Sequence, residues 1–491
     1  MTGGLMQLVA TGAQDVWLTG NPMVTYFKVV YRRHTNFAIE SICQTFDTRA
    51  DFGTTVTSLL SRNGDLISSI CFQVTLPDLP ASTDNYIYTV WTDNVGHHLI
   101  KKVEFIVGGQ IIDTQYGDWL EIWSQLSVPA GKMLGYREMI GQDPPGALGL
   151  NSGLQRDRKT VLPGRTIFIP LQFWFCRNIG LALPLISLQY NEVKIRMELR
   201  KSSELISSFN TQANGDTIAV PSDNTLRLSE AALWVDYIYL DAEERRRFAQ
   251  VTHEYLIEQL QLNSAQFNGS ATTQEVTMDL HLNHTVKELI WVAQYTAGVT
   301  NGHVQWSNYT DRSAINFPTG GSDDNVEGVL NLVNLGTILF DTLTSIKGSS
   351  SNLRAATNPS HVRPPDSLNP VESARLLLNG NDRFAEQPGD YFNLMQPLNY
   401  HTNIPESPGI NVYSFALKPE LHQPSGTCNF SRIDKPQLIL RLKSGFKHST
   451  LPSDDSVTSS FIQSHVNVRA YAVNYNIFRI MSGMGALAYT H

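Results

Sequence analysis

A zinc-dependent hydrolase needs two histidines one helical turn apart with a glutamate beside the first, and His253-Glu254-Tyr255-Leu256-Ile257 begins in that way. Ile257 stands where the second imidazole must coordinate, so the motif is broken. His97 and His98 are adjacent, and on a strand they would point to opposite faces and could not share a metal. Gly483-Met484-Gly485-Ala486-Leu487-Ala488 has the spacing of a dinucleotide-binding loop. Only three residues follow it, which leaves no helix, second strand or ribose-binding acid. Ser444-Gly445-Phe446-Lys447 sets a serine three residues before a lysine, but lacks the partner motifs that would make it a nucleophile. There is no G-x-S-x-G elbow and no Walker A loop. No catalytic residue, cofactor or metal site is expected.

Cys43, Cys71, Cys176 and Cys428 lie far apart and form no C-x-x-C. They read as buried thiols in a reducing compartment rather than a disulfide framework. Sequons begin at Asn268, Asn283, Asn308 and Asn429. The N-terminus has no basic n-region followed by a long apolar h-region, so export is not expected. Asn308, in a polar stretch, is the one carried forward as a candidate glycan acceptor.

The elements that would position such residues are strands. Val193, Ile195, Met197 and Leu199 alternate with Lys194, Arg196, Glu198 and Arg200. The same period of two runs through Val276 to Leu282 and Leu438 to Lys443, each giving a dry and a wetter face. Only Trp119–Leu126 and Asp241–Gln250 suggest short helices. Thr166–Leu188 is apolar enough to suggest a membrane span, but Pro170, Gly180, Pro184 and the central Arg177 argue for two buried strands joined by a turn. With 42% hydrophobic and 17% charged residues, the chain can bury a large core and keeps less charge than the ~25% typical of soluble domains. A net charge of −8, without a Lys/Arg-rich arm, argues against a surface that neutralises many phosphates. The class is all-β, closing as sandwiches or barrels.

The order of features repeats. Val103 to Asp113 leads into Tyr116-Gly117-Asp118-Trp119, and Ala374 to Phe384 leads into Pro388-Gly389-Asp390-Tyr391-Phe392. Each copy is an apolar strand, a glycine turn, a polar strand and a Gly-Asp-aromatic bend. Each is followed by an alternating strand and a closing strand. Two tandem copies of one sandwich would produce this order.

Longer segments add a resemblance. Gly3 to Ala10, Leu18-Thr19-Gly20-Asn21-Pro22, Ser61 to Leu66, Gly180 to Leu185, Trp234 to Ile238, His253 to Gln259, Gln423 to Asp434 and Arg479 to Gly485 resemble the major capsid proteins of the nucleocytoplasmic large DNA viruses, in particular the chlorella-virus type. The match runs end to end, except over 77–95 and 294–370. The resemblance implies two eight-stranded antiparallel jelly rolls: an arm over 1–23, a first jelly roll over 24–241, a junction over 242–252, and a second jelly roll over 253–491 with a long surface loop at 294–370. It also implies homotrimers whose six jelly rolls form pseudo-hexagonal capsomers tiling an icosahedral shell. The partners implied are further copies of the chain, minor capsid and penton proteins, and the internal membrane side of the virion, with no sequence-specific nucleic acid. Assembly would take place in the host cytoplasm. A carbohydrate-active or cupin-like enzyme and a surface lectin would also fit sandwiches, but neither accounts for the matches at the N-terminus and junction.

In the arm, Leu5, Leu8, Val9, Gly12 and Val16 follow helical spacing, with Trp17 and Leu18 adding apolar area. One short helix is expected. It would pack beneath its own sandwich or, the preferred reading, on the inner face of a shell against other proteins or the membrane side. A free helix this short is marginal in water, so it must dock.

Overall fold

The computed structural model describes residues 2–79, 87–142, 163–210, 226–268, 273–296, 299, 304–311, 368–443, 446–447, 461–462 and 465–489. In the first half the principal strands are β1 (Phe37–Gln44), β2 (Thr55–Leu59), β3 (Leu66–Thr75), β4 (Ile100–Val107), β5 (Gln110–Tyr116), β6 (Thr166–Pro170), β7 (Val193–Leu199) and β8 (Glu230–Leu240). They pair antiparallel in the orders β1-β8-β3-β6 and β2-β7-β4-β5. The second half holds β9 (His253–Phe267), β10 (Gln274–Asp279), β11 (Thr285–Tyr295), β12 (Val371–Leu378), β13 (Asn381–Pro388), β14 (Asn411–Ser414), β15 (Pro436–Leu442) and β16 (Val466–Met481). Their orders are β9-β16-β11-β14 and β10-β15-β12-β13. Adding eight to every strand of the first half gives the second. Each half is a sandwich of two sheets built on these four-strand paths with the same crossovers, short strands at Leu183–Pro184, Cys428–Asn429 and Met484–Leu487 pairing additionally with β3, β11 and β16, and the chain is a double jelly roll.

The alternation that marks β7 is realised as strict burial of Val193, Ile195, Met197 and Leu199. The hairpins β4–β5 and β12–β13 turn on Gly108-Gly109 and Asn379-Gly380, all four with positive φ, as a two-residue turn with the native strand twist requires. The first core gathers Phe72, Phe105, Phe173, Phe175 and Tyr237, and it takes in Ile257, Phe478 and Ile480 from the second half. The second core centres on Trp291, Phe392, Phe430 and Leu438.

Helices are more numerous than the sequence suggests: α1 (Gly3–Val9), α2 (Val16–Thr19), α3 (Val95–Leu99), α4 (Gly117–Ser127), α5 (Ala130–Ile140) and α6 (Ala242–Gln250). α5 shows no apolar stripe to betray it. Between β8 and β9 the chain is carried by α6. Thr166–Leu188 holds two strands, β6 and the two-residue Leu183–Pro184, both paired with β3. They are joined by a helical turn at Trp174–Arg177 and a 3₁₀ turn rather than by a simple turn, and both are short because Pro170 and Pro184 withhold the N–H groups a continuous ladder needs. Cys43 is exposed rather than buried, while Cys71, Cys176 and Cys428 are half-buried, and all four are free thiols.

Candidate assembly surfaces

α4 is apolar on two sides and joins the two sandwiches. Leu120 points into the first core. Trp119, Ile122, Trp123 and Leu126 pack instead on the outer face of the second half's sheet, against Ile290 and Val292 of β11, Val412 of β14, and Tyr471 and Val473 of β16. Trp119 lies 5.5 Å from both Trp123 and Tyr471, ring centre to ring centre. Every β11 residue from Val286 to Tyr295 is consequently buried, although a sandwich strand normally shows alternate side chains to solvent. Four side chains of this size contribute on the order of 10 kcal/mol before ordering costs.

A layer of buried charge surrounds this contact. Arg469 of β16 donates to Asp118 at the start of α4, and Arg200 lies 3.6 Å and His98 3.5 Å from the same carboxylate. Burial alone would raise the Asp118 carboxyl, but the two guanidiniums outweigh it and hold the group well below the usual carboxylate range. His98 is pushed down by burial, and it shares a 2.7 Å hydrogen bond with Ser307 Oγ. His97 bonds Glu121 Oε2 at 2.7 Å and Tyr136 Oη at 2.8 Å. Both histidines sit in α3, not on a strand, and each is fully enclosed by protein partners. Nearby, Glu258 bridges the halves, 2.7 Å from Lys287 Nζ and 3.0 Å from Arg177. Below α4, the buried His401 ring lies 3.3 Å from Glu288 and 3.0 Å from Glu420. Burial would lower its pKa, but the two carboxylates raise it to about 9.

These charges are spent on one another. Among the described residues no group of three metal-ligating side chains is placed to hold an ion. His253 stacks on Phe248 and bonds its carbonyl, and Gly483 forms the positive-φ turn between β16 and the strand Met484–Leu487. Ser444 lies outside the described residues. The arrangement locks one sandwich onto the other; it does not open a reaction site.

Residues 304–311 belong to the same seam, which corrects the surface-loop expectation for that part of 294–370. Thr92 Oγ1 donates to the Val304 carbonyl at 2.7 Å, and Trp306 Nε1 donates to the Glu204 carbonyl at 2.7 Å beneath the Arg200 guanidinium. Gln294 and Tyr295 are buried in β11. Residues 312–367 lie outside the described ones. Asn308 is 6% exposed; its amide donates to Gln305 Oε1 at 2.8 Å and its carbonyl oxygen accepts from Thr310. A glycan on that nitrogen would have to displace packed protein, so the buried seam disfavours Asn308 as an acceptor.

Among the described residues, one run of exposed apolar side chains lies at the N-terminus. The arm is not one helix, because its chain breaks after Val9 and resumes at Val16. Leu5, Leu8, Val9, Val16, Trp17 and Leu18 are all exposed, Trp17 by 92% and Leu18 by 86%. They therefore do not pack beneath their own sandwich. Met23, Tyr26, Phe27 and Val30 continue the exposed apolar run. The sequence pointed to the arm, but it did not mark the α4 seam beyond the shared Gly-Asp-aromatic bend.

A family model described as the major capsid protein N-terminus matches residues 25–241, and one described as the large eukaryotic DNA virus major capsid protein matches residues 244–486. The major capsid protein of Phaeocystis pouchetii virus is 44% identical, with 100% of both chains covered. A solved structure titled PBCV-1 virus capsid, quasi-atomic model, is similar with a TM-score of 0.70 and 33% identity, covering 95% of this chain and 100% of that one. The Faustovirus major capsid protein, at 14% identity and a TM-score of 0.64 over 96% of this chain and 94% of its own, shares the fold.

Proposed function

The chain belongs to the major capsid protein family of the large eukaryotic DNA viruses, a structural coat component of the virion rather than an enzyme, and from that premise we propose that it assembles as homotrimers. Each trimer places six jelly rolls in a pseudo-hexagon, and these capsomers tile an icosahedral shell. The observation that carries the reading is the strand-for-strand repeat of one sandwich with a rigid seam between the copies. Two near-equivalent units fixed side by side supply a third of a six-unit ring, and a closed ring leaves no unsatisfied face. The units are those over 24–241 and 253–491, joined through 242–252. The arm over 1–23 lies on the inner face of the shell, where Leu5, Leu8, Val9, Val16, Trp17 and Leu18 meet neighbouring capsomers, minor capsid or penton proteins, or the internal membrane side. Assembly proceeds in the host cytoplasm. Light scattering on the purified protein tests the oligomer: a mass three times that of the chain at micromolar concentration is expected, and a stable monomer there contradicts it.

A further inference from the structure

The seam inside the chain is heterologous: a helix of one unit sits on a sheet face of the other. The repeat places both partners in each unit, so each chain contains one used pair and the two halves of an unused pair. α4 begins directly after β5 with Gly117-Asp118, and a second helical segment begins directly after β13 with Gly389-Asp390 and continues to Tyr400, through a π-turn at Tyr391–Met395. The glycines answer the same constraint. A Cβ at Gly117 would collide with the carbonyl oxygens of His97 and Ile100, at the start of β4, and a Cβ at Gly389 with that of Val371, at the start of β12. Counting from the Gly-Asp pair, Leu120 corresponds to Phe392, and each enters its own unit's core. Trp119, Ile122, Trp123 and Leu126 then correspond to Tyr391, Leu394, Met395 and Leu398. The first set is covered by the second unit's sheet. In the second set Tyr391 and Leu394 are half-buried, while Met395 is 48% and Leu398 61% exposed.

The receiving face is duplicated in the same way. In β9-β16-β11-β14 the strands β11 and β14 are buried on both faces, the outer one under α4, whereas the outer side of the equivalent sheet β1-β8-β3-β6 is covered only at one end, where Ala182 and Phe248 pack on Leu66, Ile238 and Leu240. Its outer face presents Phe37 and Ile39 of β1, Cys71 of β3, Trp234 of β8 and Phe168 of β6. Cross-strand register puts Cys43 opposite Trp234, Trp234 opposite Cys71, and Phe168 opposite Gln73. Phe37 is 52%, Ile39 49% and Phe168 40% exposed.

We propose that the helical segment Gly389–Tyr400 of one copy docks, through Tyr391, Leu394, Met395 and Leu398, on the outer face of β1-β8-β3-β6 of a second copy, repeating between chains the contact that α4 makes within one. The occupant is a second copy because the geometry already solved inside the chain is the one left open at both of its ends. A heterologous contact repeated in this way closes into a ring when its rotation divides a full turn. The pairing rests on the trimer reading and specifies its interface.

The full-length double variant Met395→Glu, Leu398→Glu, carrying two charges into the centre of that contact, should raise the concentration at which half the chains are trimeric by about a hundredfold. Its thermal melting as a monomer should stay that of a folded chain, because both side chains are exposed in the isolated subunit. Alongside it, benzoylphenylalanine placed at position 398 of the otherwise unchanged trimer should photo-crosslink to peptides from β1, β3, β6 or β8 of another copy. A wild-type trimer in which the variant remains trimeric, or in which the crosslinks map elsewhere, overturns the pairing while leaving the trimer. A wild-type monomer instead overturns the trimer reading and the pairing with it.

Discussion

Asp118 shows how a single carboxylate can hold two sandwiches together. Its partners Arg469 and Arg200 come from different halves of the chain, and all three side chains are largely shielded from water. Asp118→Ala leaves two guanidiniums without their anion at the seam, and removing one partner of such a buried set costs about 3–5 kcal/mol. Urea unfolding monitored by tryptophan fluorescence should show the loss; a midpoint within error of the parent would mean that the charges are solvated. His401 gives a pH signature. Its folded pKa of about 9 lies above the ordinary value of 6.5, so the protonated ring favours the folded state. That contribution is fully present below about pH 6.5 and fades as pH rises through 9. Its size is on the order of 3 kcal/mol. Comparing urea midpoints at pH 6 and pH 9.5 for the parent and His401→Gln isolates it: the parent should lose more stability on going alkaline than the variant. Equal losses would remove His401 from the account. None of these ion pairs was legible in the sequence, because Asp118, Arg200 and Arg469 are separated by most of the chain and only the fold brings them together.

At the scale of elements, the strands were legible and the helices largely were not. Period-two runs such as Val193 to Leu199 carry their burial in the sequence, because one face of each meets a single core. β11 hides its role, since a strand buried on both faces loses alternation and reads as an undirected apolar run. The pairing of α4 with that strand was out of reach for the same reason. α3 leaves no mark in the sequence because its five residues are too few to show helical periodicity. The arm was expected to be helical and is, but Gly12 and the surrounding polar residues split it in two. Its placement away from its own sandwich, with Trp17 and Leu18 bare, leads to a prediction. Removing residues 1–20 should leave trimers of normal thermal stability and lower the yield of closed shells in an assembly reaction, scored by electron microscopy. Loss of trimers on truncation would assign the arm to the capsomer instead.

For the whole molecule, the decisive fact is that one fold occurs twice in an invariant strand order, with a contact between copies that has an open counterpart at each end. A lone sandwich with these faces would expose apolar sheet on one side and apolar helix on the other; two fixed side by side cover one such pair and present the other. This is the geometry of a repeating unit, and it explains a surface that remains apolar at Met395, Leu398, Phe37 and Ile39 in a chain of low charge. The duplication was visible in the sequence through the Gly-Asp-aromatic bends, but the faces that it duplicates emerge only in the folded chain. The central claim is that three chains close this surface into one flat six-unit ring. Negative-stain electron microscopy of the purified protein tests it most directly. Class averages should show hexagonal particles with six sandwich densities around a threefold axis, whereas a population of single two-lobed particles at micromolar concentration would contradict it.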